Sequence, residues 1–488
     1  MLNQLNIPGA DAGGDPLISS LSYDSRRIEP GALFFAIRGL KFDGHDYIAA
    51  AIKAGATAVV VEKRREDLPG RVAQIQVESS RRALALAADL FYGRPSSKLK
   101  LIGVTGTNGK TTTSYLIERI FAAAGKTTGL IGTIAYNIAG KSYAAERTTP
   151  ESLDLQAILD SMVKAGVEVA VMEVSSHASE LFRIDGCRFA AMVFTNLTQD
   201  HLDFHGNLEA YFQAKARLFS DPQFDGAIHV VNIDDDYGQR LCRSSKSCVT
   251  YGFSDKAAVR GGKIAHSVDG LSLKVLSSGR TLVLSTEMKG IFNGANILAA
   301  TATARAFDIE GKVISKALSH AGNVPGRFES VDIGQNFQVI VDYAHTPDGL
   351  RQVLEAARAA TGGKIITVFG CGGDRDRSKR PLMGKVAAEL SDRAIVTSDN
   401  PRSERAEKII AEIVKGMSGY KTKYWAITDR RQAISKAISL ADKGDLVILA
   451  GKGHETGQII ADKIIPFDDR LVAKKALEEI VNDTSKSA

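Results

Sequence analysis

The stretch best equipped for chemistry is Leu101-Ile-Gly-Val-Thr-Gly-Thr-Asn-Gly-Lys-Thr-Thr-Thr113. An apolar run (Leu99, Leu101, Ile102, Val104) predicts a buried strand, and Leu116, Ile117, Ile120 and Phe121 predict a helix stopped at Gly125. The glycines between them let backbone N–H groups and a helix N-terminus point at phosphate. Lys110 can reach the β- and γ-phosphates, and the Thr111 hydroxyl can sit on Mg²⁺. Val104 stands where the strict phosphate-loop pattern has glycine, so the motif is a Gly-Thr-Asn-Gly-Lys-Thr variant.

In open α/β sheets, ligands bind beyond the carboxyl ends of the strands. Glu173-Val-Ser-Ser-His177 and Thr195-Asn-Leu-Thr-Gln-Asp-His201 follow two predicted strands. From them Glu173 and His201 are the candidates to hold Mg²⁺ against nucleotide phosphates. They are equally consistent with a strand-end acid paired with a lysine and a histidine capping a turn. Lys215, on a predicted helix over 208–219, reads by itself as a solvated lysine.

Further on, the loops 371–383, 399–402 and 451–455 each follow a predicted strand. The first carries Arg375, Arg377, Lys379 and Arg380, which suit carboxylates or phosphates. Gly370-Cys-Gly-Gly373 lacks the spacing of a nicotinamide-binding fingerprint. Three polar loops on one sheet edge predict a small polar pocket.

The elements that must position these residues fall into three α/β segments. Residues 1–98 alternate strand and helix, with strands at 32–37 and 57–62 and a helix at 47–54. A linker follows at 92–98, rich in Pro, Gly and Ser. Residues 99–329 hold the phosphate loop, buried parallel strands at 168–174 and 190–195, and a closing helix from 290. Residues 330–488 read as a doubly wound, Rossmann-like unit with strands at 337–342, 364–369, 393–397 and 445–450. The tail 482–488 is expected to fray.

Composition narrows the functional classes. The 488 residues are 44% hydrophobic and 24% charged, ordinary for a globular chain of about three domains. The net charge of +6 is spread without a basic block, which disfavours nucleic acid and suits anionic small substrates. No apolar run reaches membrane-spanning length, and residues 1–16 lack the pattern of a signal peptide. The four cysteines (187, 242, 248, 371) show no metal spacing, so reduced thiols in a cytoplasmic protein are expected.

The ordered motifs Gly106-Thr-Asn-Gly-Lys-Thr111, Met172-Glu-Val-Ser-Ser-His177, Thr195-Asn-Leu197, Asp200-His-Leu-Asp203, Asn293-Gly-Ala-Asn296, Pro325-Gly-Arg327 and Asp342-Tyr-Ala-His345 resemble the Mur ligases, ATP-dependent amide ligases of peptidoglycan precursor synthesis. The resemblance covers nearly the whole chain. Tyr23-Asp-Ser-Arg26, Gly372-Gly-Asp-Arg-Asp376, Asp399-Asn-Pro-Arg402 and Gly451-Lys-Gly-His-Glu455 narrow it to the branch that adds the third amino acid to UDP-N-acetylmuramoyl-L-alanyl-D-glutamate. Asp-Asn-Pro-Arg resembles the version selective for meso-diaminopimelate.

The resemblance implies roles by position. The first segment would bind the UDP substrate, the second ATP and the third the amino acid. ATP would lie on Gly106, Thr107, Asn108, Gly109, Lys110, Thr111 and Thr112, closed in by Asn296, Arg327 and Asp342. Tyr23 and Ser25 would serve the uridine end, and Thr148, Thr149, Ser175 and Arg183 the muramoyl-dipeptide. Arg380, Asp399, Asn400, Pro401, Arg402, Gly451 and Glu455 would serve diaminopimelate. Lys215 matches a carbamylated lysine, an anion that joins Thr111, Glu173 and His201 as a Mg²⁺ ligand, and Lys110, Glu173, His201 and Lys215 would be the catalytic set. The chain departs from the family pattern at Arg147 and Leu181, where asparagine and glutamine are usual. The implied protein is a cytoplasmic monomer. A lysine-adding relative and a folylpolyglutamate synthase-like ligase are the alternatives; a nucleotide-dependent regulatory protein and a nucleic-acid NTPase fit the residues less well.

Overall fold

The computed structural model describes residues 11–12, 17–39, 42–245, 248–267 and 270–486. All but two residues of the 1–16 leader reading lie outside them. Backbone packing groups the chain into two compact units. The first comprises Met1–Thr105, Gly125–Val193 and Ala214–His229. The second comprises Gly106–Ala124, Phe194–Gln213 and Val230–Ala488.

In the first unit a five-stranded sheet runs in the order Asp11–Ala12, Ala73–Gln76, Ala56–Val61, Ala32–Phe35, Ser20–Ser22. Its strands pair in parallel except for the first pair. Alternation along the strands splits the apolar residues between two faces. Leu33, Phe35, Val60 and Ile75 meet Leu84, Ala87 and Ala88 of helix Ser80–Phe91. Phe34, Val59 and Val61 meet Ile48 and Ala51 of helix Ile48–Ala54. Ser79 caps the longer helix by accepting from the Arg82 amide.

The strand Lys100–Thr105 also belongs to this unit. Val169–Glu173 pairs in parallel with it and with Thr128–Ile131. The sheet then turns antiparallel through Ala135–Ile138 and Lys141–Ala144. Those two strands were not expected: Lys141–Ala144 is exposed throughout and carries no apolar alternation.

In the second unit, helix Lys110–Ala123 packs against helix Asn293–Ala306. Gly125 takes φ +80°, the left-handed stop the sequence implies. The later helix begins at Asn293 rather than 290, because residues 290–292 form a turn ahead of it. Three antiparallel strands, Val259–Ser267, Gly270–Ser277 and Arg280–Thr286, join this unit. A six-stranded sheet follows, ordered Glu329–Ser330, Gln338–Asp342, Leu446–Ala450, Ile365–Phe369, Arg393–Val396, Lys423–Ala426. All but its first pair are parallel. Helices Pro347–Ala360, Lys379–Leu390 and Ala406–Lys415 cover one face, and Arg430–Ser439 and Asp469–Lys486 the other. This is the expected doubly wound pattern, and its strand ends carry the loops after Asp342, Phe369, Val396 and Ala450.

Two expectations are corrected. Cys242 and Cys248 are joined as a disulfide, their Cα atoms 5.9 Å apart and within bridging reach, whereas Cys187 and Cys371 are free and buried. Residues 482–486 close the last helix rather than fraying from it, and 487–488 lie outside the described residues. Among the described residues no helix is long and apolar enough to cross a membrane.

Candidate functional site

The phosphate loop is built by close approach. Gly106 has φ +146°, and a Cβ there would stand 1.9 Å from the Thr195 hydroxyl. Any side chain would push the loop off its support. Thr195 Oγ1 and Asn196 Nδ2 both donate to the Asn108 carbonyl, at 2.7 and 3.2 Å. Asn196 Oδ1 accepts from the Asn108 amide at 2.9 Å, and Asn108 Nδ2 donates to Asp348 at 2.7 Å. Thr107 shares a hydrogen bond with the buried Tyr211 hydroxyl. Lys110 donates from Nζ to the carbonyls of Gly106 and Thr107, both at 2.9 Å, so its ammonium lies along the loop it must serve. Gly109, Thr111 and Thr112 open the helix.

Around this loop stand three further expected residues. Asn296 accepts from Thr113 and donates to Asn293 at 2.8 Å. Arg327 donates to the Thr111 hydroxyl at 3.0 Å and lies over the Tyr343 ring. Asp342 accepts from the amides of Phe328 and Ala344, both at 2.7 Å. Burial pushes its carboxyl above the usual range against the opposing pull of Arg327 and those amides.

His201, also in this unit, begins a short helix at φ +55°. It belongs to a cluster that the residue reading did not assemble. Asp200 lies 3.3 Å from His201 Nε2, 3.9 Å from His345 Nε2 and 4.0 Å from Lys379 Nζ. Burial raises the Asp200 carboxyl, but His201, His345 and Lys379 outweigh it and hold it well below the usual range. Burial and then Lys379 push His345 down to about 4. The sequence signals for Asp200 were its place in the Asp200-His-Leu-Asp203 motif and its adjacency to His201.

The expected dipeptide residues form one network in the first unit. Buried Glu173 accepts from the amide and hydroxyl of Thr133 at 2.8 and 3.0 Å, and Thr133 bonds Thr148 at 3.0 Å. Thr149 donates to the Glu173 carbonyl, and its hydroxyl oxygen receives the Ser175 amide. Arg183 donates to the Thr149 carbonyl and pairs with Glu151 at 2.8 Å. Arg147 pairs with the same Glu151 at 3.0 Å, which gives this departure from the family pattern a structural partner. Leu181 closes the short helix Ser176–Glu180. Tyr23 donates to Asp154 at 2.5 Å, and Ser25 opens a 3-10 turn capped by Asp24.

Lys215 corrects its residue-only reading. It is 1% exposed, on the packed side of helix Leu208–Ser220 with Tyr211, Leu218 and Phe219. A buried ammonium must be compensated or neutralised. Glu173 and Lys215 belong to the first unit, Lys110 and His201 to the second. Among the described residues no three His, Cys, Asp or Glu side chains gather as a metal cluster. A magnesium ion carried by phosphate oxygens asks only one or two protein donors, and hydroxyl and carboxylate oxygens such as those of Thr111 and Glu173 are of the right kind.

The loops after the last sheet converge. Asp399 accepts from the Asn400 amide at 2.6 Å. Gly451, at φ +114°, leaves room for the second Asp399 oxygen 2.6 Å from where a Cβ would stand. Burial raises the Asp399 carboxyl, but Lys452 and Arg430 overcome it and hold it ionised. Asn400 donates to Glu455 at 2.9 Å. Arg402 donates from Nη1 to the Gly373 carbonyl at 2.8 Å and takes φ +51°. The Pro401 carbonyl receives the Glu404 amide. Arg380 is fully buried and grips Glu404 and Glu412 at 2.7 and 2.8 Å. It therefore ties the loop after Phe369 to the next one.

Comparison with known proteins agrees with this architecture. The model for the Mur ligase family, catalytic domain, matches residues 17–92. The Mur ligase middle domain matches 104–304, and the Mur ligase glutamate ligase domain matches 326–453. The chain belongs to the Mur ligase family. It has that family's three-domain architecture, with parallel sheets in the central and C-terminal domains. A relative from Geobacillus thermodenitrificans, named UDP-N-acetylmuramoyl-L-alanyl-D-glutamate–2,6-diaminopimelate ligase, is 46% identical over 97% of this chain and 98% of its own. A relative of the same name from Caldanaerobacter subterraneus subsp. tengcongensis is 48% identical over 95% of both chains. A solved structure of a ligase so named superposes with TM-score 0.66, at 32% identity and 95% coverage of both chains.

Proposed function

We infer that this chain is the ATP-dependent ligase that joins meso-diaminopimelate to the D-glutamate γ-carboxylate of UDP-N-acetylmuramoyl-L-alanyl-D-glutamate, in peptidoglycan precursor synthesis. The observation that carries the choice of amino acid is the state of two loops. Arg402 is anchored through Nη1, and no partner is recorded for its Nε and Nη2 among the described residues. Glu455 is engaged through Oε2 alone. Asn400, two residues before Arg402, bonds Glu455 directly. A guanidinium edge and a carboxylate oxygen on joined loops suit the carboxylate and ammonium of an amino-acid end group. The names of the near-full-length relatives support the same reading.

The reaction is an acyl activation. The γ-carboxylate attacks the γ-phosphate of ATP, giving an acyl phosphate and ADP. The amine then attacks the acyl carbon and phosphate leaves. Lys110 would leave the Gly106 and Thr107 carbonyls to neutralise charge on the transferring phosphoryl group. Asn296, Arg327 and Asp342 would fix the nucleotide. Thr148, Thr149, Ser175 and Arg183 would position the dipeptide, with Tyr23 and Ser25 towards the uridine. Thr111, Glu173, His201 and a carbamate on Lys215 would hold Mg²⁺, whose charge stabilises the phosphate oxygens. Asp399 and Pro401 would shape the loop that presents Asn400 and Arg402, and Arg380 would hold it in place. The domain limits on this reading are 1–98, 99–329 and 330–488, and the protein acts as a cytoplasmic monomer.

Phosphate release with ATP and the UDP-linked dipeptide tests the reading. Release is expected only when meso-diaminopimelate is added. Equal release with L-lysine would make it a lysine-adding enzyme. Release with a folate substrate instead would move it to the folylpolyglutamate branch.

A further inference from the structure

Lys452 is as deeply buried as any residue in the second unit, with no accessible surface, yet it carries a charge. A lysine ammonium has three protons to donate. Here all three are taken: by Asn400 Oδ1 at 3.2 Å, Glu455 Oε2 at 2.8 Å and the Gly457 carbonyl at 2.7 Å. Asn400 Oδ1 also receives the Ile459 amide at 2.9 Å. Two donors on that oxygen fix the amide orientation, so Asn400 Nδ2 must face Glu455. Glu455 Oε2 then accepts from both Lys452 and Asn400, and the side chain is 29% exposed, with no hydrogen bond to Oε1 among the described residues.

Charge points the same way. Beneath these loops Arg430 is locked to Asp469 through Nε and Nη2 at 2.8 and 2.6 Å, both side chains fully buried, and Nη2 also holds the Ala450 carbonyl. Asp399, Glu455 and Asp469 face three cations, Lys452, Arg430 and Arg402, so the loops are balanced in charge and suit the paired ammonium and carboxylate of a zwitterionic end group. A buried pair broken on one side leaves the other charge uncompensated.

We propose that Lys452 is a specificity-positioning residue for the amino-acid substrate: by saturating Asn400 and one oxygen of Glu455, it aims the other Glu455 oxygen at the substrate's distal ammonium. This rests on the reading that the 399–402 and 451–455 loops hold that substrate. Lys452 itself never touches it.

The test is the distribution of kinetic effects in Lys452→Met, measured beside Lys452→Gln, Arg402→Ala, Glu455→Gln and the double variant Lys452→Met/Glu455→Gln. In Lys452→Met the KM for meso-diaminopimelate is expected to rise at least about 30-fold, while the KM values for ATP and the UDP-linked dipeptide stay within about threefold, as for loss of one charged contact. Because Lys452 acts through Glu455, the double variant should be no worse than the poorer single variant. A general structural role would move all three KM values together, or give multiplicative losses in the double variant, and either result overturns the proposal. If Arg402→Ala raises the amino-acid KM and neither Lys452 variant does, Lys452 fails alone. If Arg402→Ala also leaves that KM unchanged, the assignment of the loops fails with it. If both Lys452 variants unfold at assay temperature, the ammonium serves the fold rather than the substrate, and the proposal is wrong.

Discussion

Arg327 donates from Nη2 to the Thr111 hydroxyl at 3.0 Å, across 216 residues of chain. Its guanidinium lies 4.4 Å from the Tyr343 ring centroid, next to Asp342 in sequence. The Pro-Gly-Arg turn is thereby fastened to the first turn of the helix that follows the phosphate loop. Gly326 permits this, because a Cβ there would stand 2.0 Å from the His454 amide. Arg327→Ala should weaken nucleotide binding by about 10- to 100-fold, the cost of one charge-assisted contact of roughly 1.5–3 kcal/mol. Titration with a fluorescent ATP analogue reads this directly. An unchanged affinity would leave Arg327 as a turn residue only.

Lys110→Ala should abolish ligase activity and leave the thermal unfolding curve in place. The ammonium bonds the Gly106 and Thr107 carbonyls at the start of its helix, and its charge is expected to serve phosphoryl transfer rather than the core. Activity within about tenfold of the native enzyme, roughly 1.4 kcal/mol of barrier, would remove Lys110 from phosphoryl transfer.

Lys215 should carry a carbamate formed with CO₂. The resemblance to the family's modified lysine carries this expectation, and Lys215 is 1% exposed on the packed side of its helix. Lys215→Ala should be nearly inactive and partly restored by short carboxylic acids, which return an anion to the cavity. Incubation with ¹³C-bicarbonate should give a carbamate resonance absent from the variant. Full activity in bicarbonate-free buffer, with no such resonance, would contradict the assignment.

Asp89 offers a pH prediction independent of catalysis. It sits near the C-terminal end of helix Ser80–Phe91, where the helix dipole disfavours an anion. Its Oδ1 is buried without a hydrogen bond, and Arg94 comes no closer than 4.0 Å. Burial pushes its carboxyl up to about 6, with Arg94 and Arg188 opposing. The unfolded chain gives up this proton near pH 4, the folded chain only near 6. Stability therefore falls as pH rises from about 4 to about 6 and stays reduced above that. Asp89→Asn should gain about 1–2 kcal/mol in urea unfolding at pH 8, and much of that gain should vanish at pH 4.5. A pH-independent difference would refute the account.

The phosphate loop, the four central strands of the last sheet and the 399–402 loop were legible because local pattern dictates them, whereas that sheet's edge strands Glu329–Ser330 and Lys423–Ala426, short and largely exposed, were not. Glycine spacing admits few backbones, and continuous apolar runs of five or six residues read as buried strands. Three features were not legible, each because a distant partner decides it. The 375–380 basic cluster read as an anion site, but Arg380 is engaged by Glu404 and Glu412, 24 and 32 residues on. Lys215 read by itself as a solvated lysine and Lys452 only as a member of the 451–455 motif, and only the packed fold shows both buried. The Asp200, His201, His345 and Lys379 cluster joins three separate segments. The antiparallel strands at 259–286 escaped because many of their outward residues are exposed and mixed in polarity.

Selectivity for diaminopimelate turns on Arg402. The substrate differs from lysine by a carboxylate on the distal stereocentre, so discrimination needs a cation committed to that group. Arg402 is held at φ +51° between its own backbone bonds: its amide donates to the Ile459 carbonyl at 3.1 Å, and its carbonyl receives the Ala461 amide at 2.8 Å. Nη1 is fixed on the Gly373 carbonyl, which leaves the Nε–Nη2 edge for a bidentate carboxylate. Burial already pushes the Arg402 guanidinium below its usual range, with Arg375 adding to it, so the cation gains from an anionic partner. Lysine would leave it desolvated and unpaired, at about 2–5 kcal/mol. The native enzyme should therefore prefer meso-diaminopimelate over L-lysine by roughly 10²-fold or more in kcat/KM. Arg402→Ala should lose most of that preference, chiefly through the diaminopimelate KM, and Arg402→Lys should recover little, since an ammonium cannot make the paired contact. A native enzyme that uses both amino acids equally would overturn the selectivity. An Arg402→Ala variant that keeps the full preference would instead place the recognition of that carboxylate on another loop.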